Sequence, residues 1–310
     1  MKTRALIGMI LGMLVSTFIV GQDRNRPVLS PDQLTFTTTF EKHVLHAYLK
    51  NNKQLAYNML VASDERTTPI LAAQWQMELK GFTNEMQKKL HKYSSDKRAL
   101  KSLFYKIHRK YLKRYSPFST FHETIKSGKY DCLSATALYA YLLDELDYNY
   151  SVVETNYHIY LIIELEDEQI LIETTDPLNG FVDDQTEVLK RMTAYAGGKE
   201  TGPSANARAP KNALNYEFSV DVERRIGLPE LAALQYYNAS VQSFNQQEYM
   251  QALVDIEKAV MLYGSDRIVE MFGLILNTTL SSNLVEKEDK EHLQHKYAQL
   301  LKKNRIMAAR

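Results

Sequence analysis

One thiol, one strand-end imidazole and one turn carboxylate are the side chains in this sequence whose order would allow covalent chemistry. Cys132 is the only cysteine in 310 residues and follows "SGKYD" at the start of an apolar stretch. A lone cysteine is commonly a small buried hydrophobe, so its surroundings decide its reading. Ala135, Leu138 and Leu142 follow at helical spacing, Asp131 is a good N-cap, and Gly128 permits a tight approach. The sulfur is therefore expected in the first turn of a helix. There, unpaired N–H groups and the helix dipole favour a thiolate and can receive an oxyanion. The neighbouring acids raise the thiol pKa, so a cationic partner is required.

His158 is the candidate. It begins "HIYLIIEL", whose alternation sets His158, Tyr160 and Ile162 on one face and Ile159, Leu161 and Ile163 on the other. The acidic "EDEQ" marks a turn and "ILIETT" runs back. In an antiparallel hairpin with its tip near Asp167, the residue opposite His158 falls close to position 176, which is Asp176 in "TTDP". Cysteine, histidine and aspartate would then form a nucleophile, a base and an orienter for attack on an acyl carbon. Singly, each has a plainer reading: a core cysteine, a half-buried strand-end histidine and a turn-starting Asp-Pro. His122 is a second-choice base. His292 and His295, with Glu288 and Glu291, have metal-compatible spacing, but "EKEDKEHLQH" reads as a solvated helix face. No phosphate-binding glycine loop or serine elbow is found, and neither a metal nor a cofactor is expected.

"GKYDC", "NYHIYLIIE" and "ETTDP" together resemble the core of the transglutaminase-like superfamily, relatives of papain-like cysteine proteases, over Tyr130 to Phe181. The resemblance implies a cysteine-bearing helix on a small antiparallel sheet, with catalytic roles for Cys132, His158 and Asp176. Family members often carry an aromatic residue, commonly Trp, soon after the histidine; here Ile159 and Tyr160 follow it. Animal transglutaminases have Gln before and Trp after the cysteine, where this chain has Asp131 and Leu133. Those differences favour water over an amine as the acyl acceptor.

The elements that must position these residues give an α+β chain. "MKTRALIGMILGMLVSTFIVGQ" is a signal-peptide pattern with cleavage near Gly21, so residues 1–21 are set apart and the protein is expected to be exported to the periplasm or cell envelope. Residues 22–115 read as helices: one opened by the capping box "SPDQ" at Ser30, one over Pro69 to Tyr93 and one over Lys97 to Tyr111. Residues 116–195 hold the transglutaminase-like core, with a helix from Cys132 to about Leu146 and the strands "YSVVET", "HIYLIIEL" and "QILIETT". "AGGKETGPSANARAPKN", 196–212, is a loop or linker. Residues 213–310 are helical again. There Tyr236, Ala239, Ser240, Tyr249, Ala252, Ile256 and Ala259 resemble one tetratricopeptide repeat, which needs neighbouring helices to bury its face.

Formal net charge is +1, so overall balance points to no nucleic-acid partner. The charge is nonetheless segregated: Lys88 to Arg114 contains eleven Lys or Arg and one acid, whereas Tyr130 to Leu189 contains fourteen Asp or Glu and no Lys or Arg. The first reads as a solvated cationic face or a patch for an anionic surface. The leading expectation is an exported cysteine peptidase or amidase acting on a peptide or protein, cell-wall peptides included, and not transmembrane once the signal is removed. The alternatives are a non-catalytic envelope scaffold that binds a protein partner through the repeat-like helices, and an acyl transferase that crosslinks or deamidates.

Overall fold

Apolar strands covered on both faces build the centre of the fold. The computed structural model describes residues 33–50, 55–155, 158–166, 168–196 and 223–308, with the backbone alone for 223 and 299–308. The expected signal segment and the expected linker beyond Ala196 lie outside the described residues. The chain divides into two compact units, of which one runs Thr37–Gln235 and the other includes Tyr236–Arg310. The helices expected as a separate region before residue 116 therefore share a unit with the core.

That unit opens with α1 (Thr39–Leu49). The expected start at Ser30 and Pro31 lies outside the described residues; residues 34–38 are not helical. Thr38 is the N-cap, its hydroxyl accepting the Glu41 N–H at 3.0 Å. Thr38-Thr39-Phe40-Glu41 has the same Ser/Thr-x-x-Glu/Gln pattern as the earlier segment, and it precedes the periodic Val44 and Leu45 more closely. After α2 (Ala56–Ala62), α3 (Pro69–Leu90) begins with proline in its first turn behind the cap Thr68, and α4 (Asp96–Tyr111) behind Ser95. α4 buries Leu100, Leu103, Phe104, Ile107 and Tyr111 on one stripe and leaves its cations outside.

β1 (Arg114–Tyr115) pairs in parallel with β2 (Lys129–Tyr130) around α5 (Phe121–Ser127), whose N-terminus is closed by reciprocal bonds between Thr120 and Glu123. Gly128 ends α5 at φ 72°, a left-handed conformation that favours glycine. Its carbonyl accepts the N–H groups of Lys113 and Arg114 at 2.8 and 3.0 Å. This turn delivers the chain into α6 (Cys132–Asp144), which is buried on every side from Leu133 to Leu143.

The sheet has the order β6-β5-β4-β3-β7 and is antiparallel throughout. Its strands are β3 (Tyr150–Thr155), β4 (Ile159–Glu164), β5 (Gln169–Ile172), β6 (Phe181–Val182) and β7 (Glu223–Ile226). Val153, Tyr160, Ile162, Leu171 and Val182 form one face and pack with Val188 and Tyr195 of α7 (Gln185–Ala196). The alternate residues Val152, Leu161, Ile163, Ile170 and Ile172 are buried as well, and α6 lies against β3 and β4. Helices with a small antiparallel sheet make the class α+β.

The division between the units falls inside α8 (Leu228–Asn245). α9 (Tyr249–Leu262), α10 (Asp266–Ser281) and α11 (Lys287–Ala308) follow. Tyr236, Ser240, Ala252, Ile256 and Ala259, five of the repeat-like positions, are buried. Buried Glu257 accepts from Lys296 at 2.6 and 2.8 Å and from the Tyr297 hydroxyl. Among the described residues, no helix is long and apolar enough to cross a membrane.

Candidate functional site

Asp131 caps α6: its Oδ1 accepts the Ser134 N–H at 2.8 Å, and the Ser134 hydroxyl accepts the Asp131 N–H at 3.0 Å. That box places Cys132 at the first helical position. The residue is half-buried. Burial first, then the carboxylates of Asp131 and Glu173, pushes its thiol well above the ordinary range, against the lowering effect of the Leu133 and Cys132 N–H groups. The acids and burial outweigh the helix N-terminus, so the resting sulfur is a neutral thiol. Asp131 is itself pushed up to about 6, by burial above all.

His158 stands just before β4, and its Nε2 is hydrogen-bonded to Oε2 of Glu173. Its ring stacks beside Tyr160 with centroids 6.3 Å apart, and Tyr195 approaches to 4.7 Å. Tyr160 thus supplies an aromatic neighbour two residues after the histidine. Glu173 is enclosed by donors. Oε1 accepts the Thr175 N–H at 2.9 Å and the Thr175 hydroxyl at 2.6 Å, and the Tyr195 hydroxyl reaches Oε2 at 3.4 Å. Burial works to raise this carboxyl, but His158 and Thr175 together outweigh it and hold it below its ordinary value.

The expected pairing of His158 with Asp176 is therefore corrected: the carboxylate on the imidazole is Glu173. The register pairs Leu161 with Ile172 and Ile162 with Leu171, one residue away from the register that sets 158 against 176. A slip of one residue moves a side chain to the other face of a strand. Glu173 alternates with Leu171 and so shares the face of Tyr160 and His158. Asp176 instead organises the turn that follows. Its Oδ1 accepts the N–H groups of Leu178 and Asn179 at 3.1 and 2.9 Å, and its carbonyl accepts the Gly180 N–H at 2.9 Å. Gly180 in turn accepts the Glu173 N–H through its carbonyl at 2.8 Å. A side chain at Gly180 would overlap the carbonyl oxygens of Glu173 and Asp176.

Cys132 and His158 are brought to the site by different elements, the head of α6 and the residue before β4. The face carrying Tyr160 is covered by α7, whereas Thr136, one turn after Cys132, meets Thr174 at 3.2 Å between the hydroxyls. No hydrogen bond joins the Cys132 thiol to His158 among the described residues. Glu173 is the link between them, bonded to the imidazole and close enough to the thiol to raise it.

The other sequence candidates lie apart from this group. His122 is buried with Nδ1 3.1 Å from the Thr67 hydroxyl and 3.7 Å from Asp64, and its ring packs 4.2 Å from that of Trp75. It is a core histidine whose burial lowers its pKa. His292 and His295 are exposed on α11, and no metal-ligating cluster exists among the described residues. Glu173, Thr175, Tyr195 and Gly180 were not singled out from the sequence. Nor was His108 of α4, buried against the rings of Phe104 and Tyr139 and pushed down to about 4 by burial, against the pull of Asp176 and Glu173. Comparisons of the chain with protein-family models, curated proteins and solved structures return no match.

Proposed function

We propose that this chain is an exported cysteine hydrolase of the transglutaminase-like type, cleaving a peptide or amide bond through a thioester on Cys132. The observation that carries the reading is the His158–Glu173 pair, held at the end of the sheet by Thr175 and Tyr195 with Glu173 in electrostatic reach of the thiol. Glu173 takes the orienting role expected of Asp176. His158 receives the thiol proton as sulfur bonds to the acyl carbon, and the N–H groups at the start of α6 receive the oxyanion. The imidazolium then protonates the departing amine. Water, deprotonated by the same ring, opens the thioester to release the acid and restore the thiol. A neutral resting thiol suits this order, because the proton leaves during the attack.

The placement in the periplasm or envelope rests on the leader pattern, and a protein partner on the repeat-like helices rests on the tetratricopeptide-like spacing, whose Tyr236, Ala252 and Ile256 are buried in the packing of the unit itself. A non-catalytic scaffold is the second reading, favoured by the absence of a thiol–imidazole bond among the described residues. Peptide-library digestion with the purified chain tests both. Cys132→Ala, His158→Ala and Glu173→Gln should each reduce cleavage by about 100-fold or more, while Asp176→Asn retains more activity than Glu173→Gln. Cleavage that survives Cys132→Ala sinks the hydrolase. Incorporation of a labelled primary amine in preference to hydrolysis assigns the acyl-enzyme to transfer.

A further inference from the structure

We propose that the solvent face of α4 is a docking stripe for an acidic polypeptide segment, leading to the turn that holds Glu173. Arg98, Lys101, Tyr105 and Arg109 are exposed and recur at spacings of three and four, with Lys106 beside them and Lys113 just past the helix end. The one acid of the helix itself, Asp96, lies in its first turn, and Asp183 approaches Lys101 to 4.0 Å. Four helical residues rise about 6 Å, close to the roughly 6.6 Å between alternate residues of an extended chain. The cations Arg98, Lys101, Lys106, Arg109 and Lys113 stand three to five residues apart, about 4.5–7.5 Å along the axis, so a strand-like segment with an acid at every second position matches the stripe in sign and, on average, in spacing.

The charges of this region differ in how far they are already satisfied. Glu168 meets Lys97 at 2.6 Å, Glu164 meets Arg225 at 2.8 Å, Asp183 meets Lys101 at 4.0 Å, and Glu187 meets Lys190 and Arg191. Asp131 and Glu173 are buried and hydrogen-bonded. Arg98, Arg109 and Lys113 form no ion pair among the described residues, and Lys106 has only the more distant Glu85 of α3. Along α4 itself six cations stand against the single acid Asp96, although the sequence around the site is acidic.

The stripe connects to the site through two contacts. The Tyr105 hydroxyl donates to the Leu178 carbonyl at 3.3 Å, and Lys101 Nζ lies 5.5 Å from the Phe181 ring centroid. Leu178, 76% exposed, offers an apolar contact at that end. A lipid surface is the poorer match. Helices that lie on membranes insert an apolar face, and α4 has spent its own on the protein core.

Taken with the proposed hydrolase, on which this extension rests, the stripe makes acidic polypeptides the substrate class. The test is fluorescence anisotropy of a labelled peptide of alternating Glu and Ser, with the full chain and with its Arg98→Gln/Lys106→Gln/Arg109→Gln variant. Wild type should bind, more weakly as salt rises, and the triple variant about tenfold less tightly. Equal affinity of the two proteins overturns the proposal, as does tighter binding of phosphatidylglycerol vesicles than of the peptide. Binding without cleavage supports the docking stripe and counts against the hydrolase alone. Cleavage whose preference for acidic peptides survives the triple substitution overturns the stripe and leaves the hydrolase standing.

Discussion

Cys132 is held as a neutral thiol by burial and two carboxylates, and that state has measurable consequences. In the folded chain, iodoacetamide should label it at least tenfold more slowly at pH 7.5 than in urea-unfolded chain, because the thiolate is the reactive form. The rate should climb only as pH rises past the ordinary cysteine range. Glu173→Gln removes one of the charges that raise the thiol, so labelling should accelerate severalfold while amide cleavage is lost. Slower labelling of that variant would contradict the electrostatic link. The signs for stability are opposite at the two groups. A thiol raised on folding contributes stability in full below its unfolded value of about 8.5 and loses it as pH climbs through the folded value. Glu173, lowered on folding, contributes above about 4.3 and loses that contribution as pH falls through its folded value.

Asp131 and α6 belong together at the scale of elements. The carboxyl is the cap of the helix and also a buried acid pushed up to about 6. An acid raised on folding favours the folded state most below its unfolded value of about 3.9, and the advantage is lost as pH rises toward 6. Asparagine caps as well as aspartate, so Asp131→Asn should raise Tm at pH 8 and leave it nearly unchanged at pH 4. Asp131→Ala removes the cap and should cost about 1 kcal/mol at both pH values. Thermal unfolding at the two pH values reads both; an Asn variant less stable at pH 8 would refute the buried-charge account. The start of α3, the limits of α4 to within one residue and those of β3 were legible because Pro69, a charged face and a β-branched run mark them, whereas α3 ends at Leu90 and not at Tyr93. The hairpin register was not. β4 and β5 are buried on both faces, so their apolar residues do not alternate with polar ones and the pattern leaves the pairing open by one residue. The two-residue strands β1, β2 and β6 carry too little pattern to be seen at all.

At the scale of the molecule, the second unit has its own buried polar centre in Glu257, Lys296 and Tyr297. Burial and Glu257 both raise the Tyr297 hydroxyl, keeping it a donor. Lys296→Ala removes the cation and leaves a carboxylate 2% exposed to solvent without it. The expected cost is about 3 kcal/mol in the helical unit. Calorimetry should show the transition of that unit shifted down, while Cys132 labelling in native chain stays as in wild type. A change in labelling of the same size would show that the two units unfold as one.

The sequence by itself determined the two helices after Pro69, the order helix, strand, strand, strand from Cys132 to Ile172, the position of Cys132 at the head of a capped helix, and His158 at the head of a strand. Those features follow from local rules of capping, spacing and propensity that act over a few residues. The tertiary structure decided which carboxylate meets the imidazole. It replaced Asp176 with Glu173 because register depends on how two buried strands slide past each other, and a turn closed by Asp176 and Gly180 locks the result. It also decided the charge state of the site. The first turn of a helix favours a thiolate, but burial beside Asp131 and Glu173 outweighs it, and those neighbours are brought together only by the packing of α6 on the sheet.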